Sequence, residues 1–109
     1  MTKIVFFKQG EDFVRIESKG HTGYATQGQD ILCAALSALL QGAALGVIKV
    51  AGVDAQYRVD EAKGSLLLAL PRDLEDRARQ DCNVILKTLY VSVMDLKEGY
   101  SEYIEVEVK

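Results

Sequence analysis

Hydrophobic positions alternate in short runs near both ends of the chain and recur with helical spacing between them. Lys3 to Lys8 and Phe13 to Glu17 are rich in β-branched and aromatic residues. Gln9-Gly10-Glu11-Asp12 between them reads as a hairpin turn. Ser18 to Gln29 is polar and carries Gly20, Gly23 and Gly28, a loop long enough to suggest a functional role. An apolar segment follows, Ile31 to about Val50, predicted as a helix that Gly52 helps to end. Ala55, Tyr57 and Val59 then alternate with polar residues, Glu61-Ala62-Lys63-Gly64 turns the chain, and Leu66, Leu68 and Leu70 share one side of another strand. Beyond the break at Pro71 and Asp73, Leu74, Ala78, Cys82, Ile85, Leu89, Val93 and Leu96 recur at spacings of three and four. They predict a long amphipathic helix that Gly99 stops. Ile104, Val106 and Val108 alternate with Glu105, Glu107 and Lys109 as a last strand.

The order is ββαββαβ, which predicts an α+β fold with two long helices on a mainly antiparallel sheet. At 109 residues the whole chain, 1–109, is expected to be one domain. The stretch Ile31 to Ile48 holds 18 residues without a charge and as a helix would span about 27 Å, enough to raise the question of a membrane. Cys33, Ser37, Gln41 and the many Ala and Gly residues dilute its apolar character, and it lies between amphipathic strands. The expectation is therefore no membrane span but a buried helix, apolar nearly all round. One sheet cannot bury so many faces. Either the second helix covers the excess or, as the preferred reading, a homodimer does.

Composition narrows the chemistry. Thirteen basic against sixteen acidic residues give a net charge of −3, which argues against a broad nucleic-acid-binding surface. Two cysteines and one histidine are too few for an ordinary closed zinc site within one chain. They are also too few for a disulfide scaffold. The first residues lack an apolar core of signal-peptide length, and a soluble cytoplasmic protein is expected. No phosphate-binding loop or dinucleotide fingerprint is present. Asp60-Glu61 and Asp73/Asp76 sit in turns or at a helix start, where acids are usually solvated. Arg72, Arg77 and Arg79 read as a solvated face rather than a partner contact.

The residues left are His21, in the glycine-bearing loop, and Cys33, twelve positions later. Asp30 stands before the apolar helix as a natural N-cap, which makes Cys33 the third residue of the first turn. The unpaired amides and the helix dipole there favour negative charge on sulfur. A histidine brought beside it could act as general base, the requirement of Cys/His acyl transfer. Asp30 would either be no more than a cap or, since a carboxylate at the helix start would also repel a thiolate, orient His21 instead. Ser37, one turn beyond Cys33, faces the same side. Taken singly, such a cysteine is most often a small buried residue, such a histidine solvated, and Gly20, Gly23 and Gly28 simple loop bends. The combination is what points to chemistry. Cys82, on the apolar stripe, reads as structural.

The stretch Gly20-His21-Thr22-Gly23 through Gly28-Gln29-Asp30-Ile31-Leu32-Cys33-Ala34-Ala35-Leu36-Ser37 resembles the ribosomal-processing cysteine protease family, Prp. The family motif is Gly-His, a short glycine-containing loop, then Gly-x-Asp-Ile-x-Cys-Ala-x-x-Ser. The likeness continues through Ile85 to Leu89, Glu98 to Tyr100 and Tyr103-Ile104, nearly the whole chain. The resemblance implies a cytoplasmic, homodimeric bacterial endopeptidase without metal or cofactor. Its substrate would be the precursor of the twenty-seventh protein of the large ribosomal subunit, cut after an aromatic pair and before a small residue to remove an N-terminal extension. It places His21 as base and Cys33 as nucleophile, with Gly20, Gly28, Asp30 and Ser37 at accessory or substrate-binding positions. Thr22 departs from the pattern, which commonly has Ala after Gly-His. Neither nucleic acid nor membrane enters as a direct partner. The competing readings are a non-catalytic dimeric assembly protein with a redox-sensitive thiol and a different thiol hydrolase. The reactivity of Cys33 separates the first of these from a protease, and a panel of peptides against small thioesters the second.

Overall fold

A computed structural model of the chain describes residues 1–26 and 29–109. The elements follow the expected order: β1 Thr2–Gln9, β2 Asp12–Lys19, α1 Ile31–Leu45 with a π-helical turn over Gly46–Val50, β3 Gln56–Asp60, β4 Ser65–Ala69, α2 Asp76–Gly99 and β5 Ile104–Val108. The strands form one sheet in the order β3-β4-β2-β1-β5. Every pairing is antiparallel except that of β1 with β5, which runs parallel from Thr2 opposite Ile104 to Phe6 opposite Val108. The fold is thus α+β, with both helices packed on one face.

Alternation decides which side chains look inward. Ile4 and Phe6 of β1, Ile16 of β2, Leu66 and Leu68 of β4 and Ile104 of β5 are buried under the helices. Phe13 is buried as well, although it lies an odd number of residues from Ile16. A bulge explains this: Phe7 pairs with Arg15 and Lys8 with Phe13, so Val14 is the extra residue that resets the parity. The Phe13 amide donates instead to Oδ1 of the buried Asn83 at 2.8 Å, and the Asn83 amide group donates to the Arg79 carbonyl at 3.2 Å. That buried polar side chain ties α2 to β2. Tyr90 of α2 closes the same corner, 5.1 Å and 5.5 Å between ring centroids from Phe6 and Phe13.

Four sequence expectations change in detail. The polar loop is shorter, because Ser18 is a buried residue of β2 and the strand runs to Lys19. Leu74 precedes α2 rather than opening its stripe. Val59 lies on an edge strand and stays exposed. The largest change concerns the apolar helix. It is long and apolar enough by composition to cross a membrane, yet only 33% of its most apolar window is buried. Leu32, Leu36, Leu40, Ala43, Ala44 and Val47 face the core, whereas Ile31, Leu45 and Val50 are exposed. The helix is therefore not buried all round, because a sheet and one neighbouring helix can cover only part of its circumference. A shallow apolar groove is left open along the α1–α2 seam, lined by Leu39, Gly42, Gly46, Val50, Val84 and Ile85. Arg77 and Arg79 pair with Asp81, Asp76 and Asp12 at exposed or half-exposed positions, contacts worth little stability.

Candidate functional site

The site forms where the loop after β2 meets the start of α1 and the β3–β4 turn. Gly20 leaves the strand at φ +91°, and a Cβ there would stand 2.6 Å from the Met1 carbonyl oxygen. Its own carbonyl accepts from Thr2 Oγ1 at 3.1 Å, so the loop begins pressed against the N-terminal residues. His21 follows, half-buried, with Nε2 at 3.5 Å from the Ala62 carbonyl oxygen, a long polar contact whose direction depends on the tautomer. Gly64 makes that approach possible. At φ +62°, it would carry a Cβ 2.9 Å from the Gly20 oxygen and 3.0 Å from Cε1 of His21.

Asp30 fastens the other side of the loop. It is the N-cap of α1, with extended backbone, and Oδ1 accepts the Cys33 amide at 2.8 Å. Oδ2 accepts the Thr22 hydroxyl at 2.5 Å and the amides of Tyr24 and Ala25 at 3.1 and 3.3 Å. Burial pushes this carboxyl up, but the hydrogen bonds from Thr22, Cys33, Ala25 and Tyr24 outweigh it and hold the group below the usual carboxylate range. The sequence left open whether Asp30 caps or orients His21. It caps, and it grips the loop through Thr22, the residue next to His21. Tyr24 is held further by edge-on contacts with Tyr100 and Tyr103, at 5.6 and 5.4 Å between centroids.

Cys33 is half-buried on the first turn of α1. It opens onto two adjoining clefts of about 240 and 480 Å3. His21, Cys33, Ser37 and Glu61 line both. The smaller cleft runs on between Leu36 and Leu40 of α1 and Val59 and Leu66 of the sheet, with Ser18, Gln41, Asp60 and Ser65 among its polar lining. The larger is walled by Gly23, Ala25, Asp30 and Ala34. His21, Cys33, Asp30, Ser37 and Gly20 are thus brought together as the spacing suggests, whereas Gly28 lies outside the described residues. Among the described residues no hydrogen bond joins His21 to Cys33. Glu61 and Gly64, which as sequence are only part of a turn, also belong to the site. Only the packing of that turn against the loop reveals them, and no local pattern signals it.

The two thiols differ sharply. Cys82 is fully buried, and burial together with the charge of Asp81 pushes its thiol up. In native protein near neutral pH, iodoacetamide is expected to modify Cys33 alone, with Cys82 reacting only after unfolding. Peptide mapping of the alkylated protein checks this, and equal labelling of both would contradict it.

The sequence profile of the cysteine protease Prp family matches residues 1–105 of the chain. The chain belongs to the Prp family. As a member it is a cysteine protease. The ribosomal processing cysteine protease Prp of Bacillus subtilis (strain 168) is 30% identical over 90 residues, 83% of this chain and 80% of that protein. The protein of the same name from Staphylococcus aureus (strain Mu50) is 29% identical over 90 residues, 83% and 81% of the two chains. The crystal structure of S. aureus Prp with a covalently linked product peptide matches with a TM-score of 0.88 at 24% identity, over 100% of both chains. A Streptococcus mutans protein matches with a TM-score of 0.83 at 19% identity, over 99% and 93%. At such identities these structures speak for the Prp fold.

Proposed function

We propose that this protease removes the N-terminal extension of the twenty-seventh protein of the large ribosomal subunit before assembly, in the cytoplasm, with Cys33 as nucleophile and His21 as base. One observation carries the assignment of residues: the half-buried cysteine shares its clefts with the chain's only histidine, while the other cysteine is sealed in the core. The processing role is supported by the name of the B. subtilis and S. aureus relatives. That a peptide is the substrate is supported by the S. aureus Prp structures with substrate and covalently linked product peptides. The apolar part of the smaller cleft, at Leu36, Leu40, Val59 and Leu66, supports the aromatic pair expected before the scissile bond.

In this reading His21 takes the thiol proton and the Cys33 sulfur attacks the scissile carbonyl. The C–N bond breaks as the imidazolium returns the proton to the leaving amine. Water, deprotonated by His21, then hydrolyses the thioester to a carboxylate and regenerates the thiol. The Cys33 amide is committed to Asp30 and the Ala34 amide to the Asp30 carbonyl. Neither first-turn amide is therefore a free donor for the oxyanion. Accessory roles fall to Gly20, which lets the loop turn, to Asp30, and to Ser37, which lines both clefts. The open groove along α1 and α2, with Val50 and Val84 at 84% and 68% exposure, supports a homodimer that covers it.

Incubating the protein with the extended ribosomal protein from its own genome is expected to give two products whose masses place the cut at the end of the extension. An uncut precursor, or cuts elsewhere, would refute the substrate assignment.

A further inference from the structure

We propose that Thr22 is a positioning residue, whose buried hydroxyl braces the histidine-bearing loop against the helix start that carries Cys33. The inference rests on reading His21 and Cys33 as the reacting pair. Thr22 is 1% exposed, an unusual place for a polar residue in a loop. Its hydroxyl donates to Asp30 Oδ2 at 2.5 Å, the shortest hydrogen bond among the side chains described. A hydroxyl donating to a carboxylate at that length is charge-assisted and stronger than a neutral bond. The same carboxylate receives the Cys33 amide at 2.8 Å on its other oxygen. A continuous path of covalent and hydrogen bonds thus runs from His21 through Thr22 and Asp30 to Cys33.

Stiffness makes the path useful. Threonine is branched at Cβ, so few χ1 rotamers are open to it, and the bond to Asp30 selects one. His21 is the next residue along, and on its far side Gly20 is held by Thr2. The imidazole therefore has a fixed base without any bond to the thiol, which leaves both groups free to meet substrate. Tyr24 and Ala25 also donate to Asp30, but through amides at longer range, and they lie beyond the histidine.

Kinetics on a peptide spanning the extension junction test this, using Thr22→Val, Thr22→Ser and His21→Ala. Thr22→Val keeps the shape and loses the donor. Its kcat is expected to fall about tenfold with KM within about twofold, since a misplaced base costs turnover more than binding. Hydrogen exchange at Tyr24 and Ala25 should quicken, and Thr22→Ser should restore kcat to within about threefold of wild type. Unchanged kcat in Thr22→Val, a loss confined to KM, or a serine variant as impaired as the valine one would each overturn the proposal. If Thr22→Val fails to fold, Thr22→Ser against Thr22→Ala gives the same comparison of hydroxyl present and absent. A His21→Ala enzyme with wild-type turnover would instead sink the dyad reading beneath it.

Discussion

Cys33→Ala is expected to lower cleavage of the ribosomal precursor by at least about a thousandfold, the scale seen when a covalent nucleophile is removed. The substitution deletes one sulfur from a half-buried position at the edge of a cleft. It leaves the Cys33 amide bonded to Asp30. The fold should therefore survive, with a melting temperature within a few degrees of wild type. His21→Ala should cause a comparable loss, because both steps of the proposed mechanism pass a proton through the imidazole. Cys82→Ala supplies the contrast. It opens a small cavity in a fully buried site and should cost about 1 kcal/mol of stability, yet turnover should hold. Single-turnover rates and thermal melts on the three variants check the set. Wild-type cleavage by Cys33→Ala would overturn the assignment, and loss of turnover in a folded Cys82→Ala protein would point to the wrong thiol.

Asp30→Ala is expected to be the most destabilising change in the loop. It removes the acceptor for the Thr22 hydroxyl and for the amides of Tyr24, Ala25 and Cys33. Losing the cap and stranding a buried hydroxyl should together cost about 2–4 kcal/mol. Asp30→Asn should fall between, because an amide can accept on one oxygen only. The effect has a definite pH dependence. The folded-state carboxyl lies below its unfolded value of 3.8, so its charge contributes stability that is fully present above that pH. The contribution is lost as pH falls through the folded value. The gap in melting temperature between wild type and Asp30→Ala should therefore be constant from neutral pH to about 5 and narrow below about 4. A gap that stays constant to pH 3 would mean that the charge on Asp30 contributes nothing.

Much of this arrangement was legible because it is local. The N-cap of α1 is decided within four residues, since the Asp30 side chain reaches an amide three positions on. That placed Cys33 in the first turn without any tertiary information. The periods of the strands and of α2 are local as well, and Gly10-Glu11 and Ala62-Lys63 lie in turns where they were expected. The bulge at Val14 was not legible, because its cause is a mismatch between β1 and β2 that only their pairing creates. Nor was Asn83, a polar residue near an apolar stripe whose partner, the Phe13 amide, is 70 positions away.

The sequence by itself determined the order of elements, the capped first turn and the Gly-His and Asp-x-x-Cys spacing, all features settled by neighbours a few bonds apart. Tertiary structure decided the rest. Strand order sets β4 beside β2, which swings the β3–β4 turn onto the loop and brings Gly64 and Glu61 to His21 and Cys33. The long apolar run was likewise ambiguous as a string. Its hydrophobicity is spread around the helix, and only packing on one sheet and one neighbouring helix selects the face that is buried. Contacts between residues far apart in sequence depend on how whole elements pack, and no local periodicity encodes that.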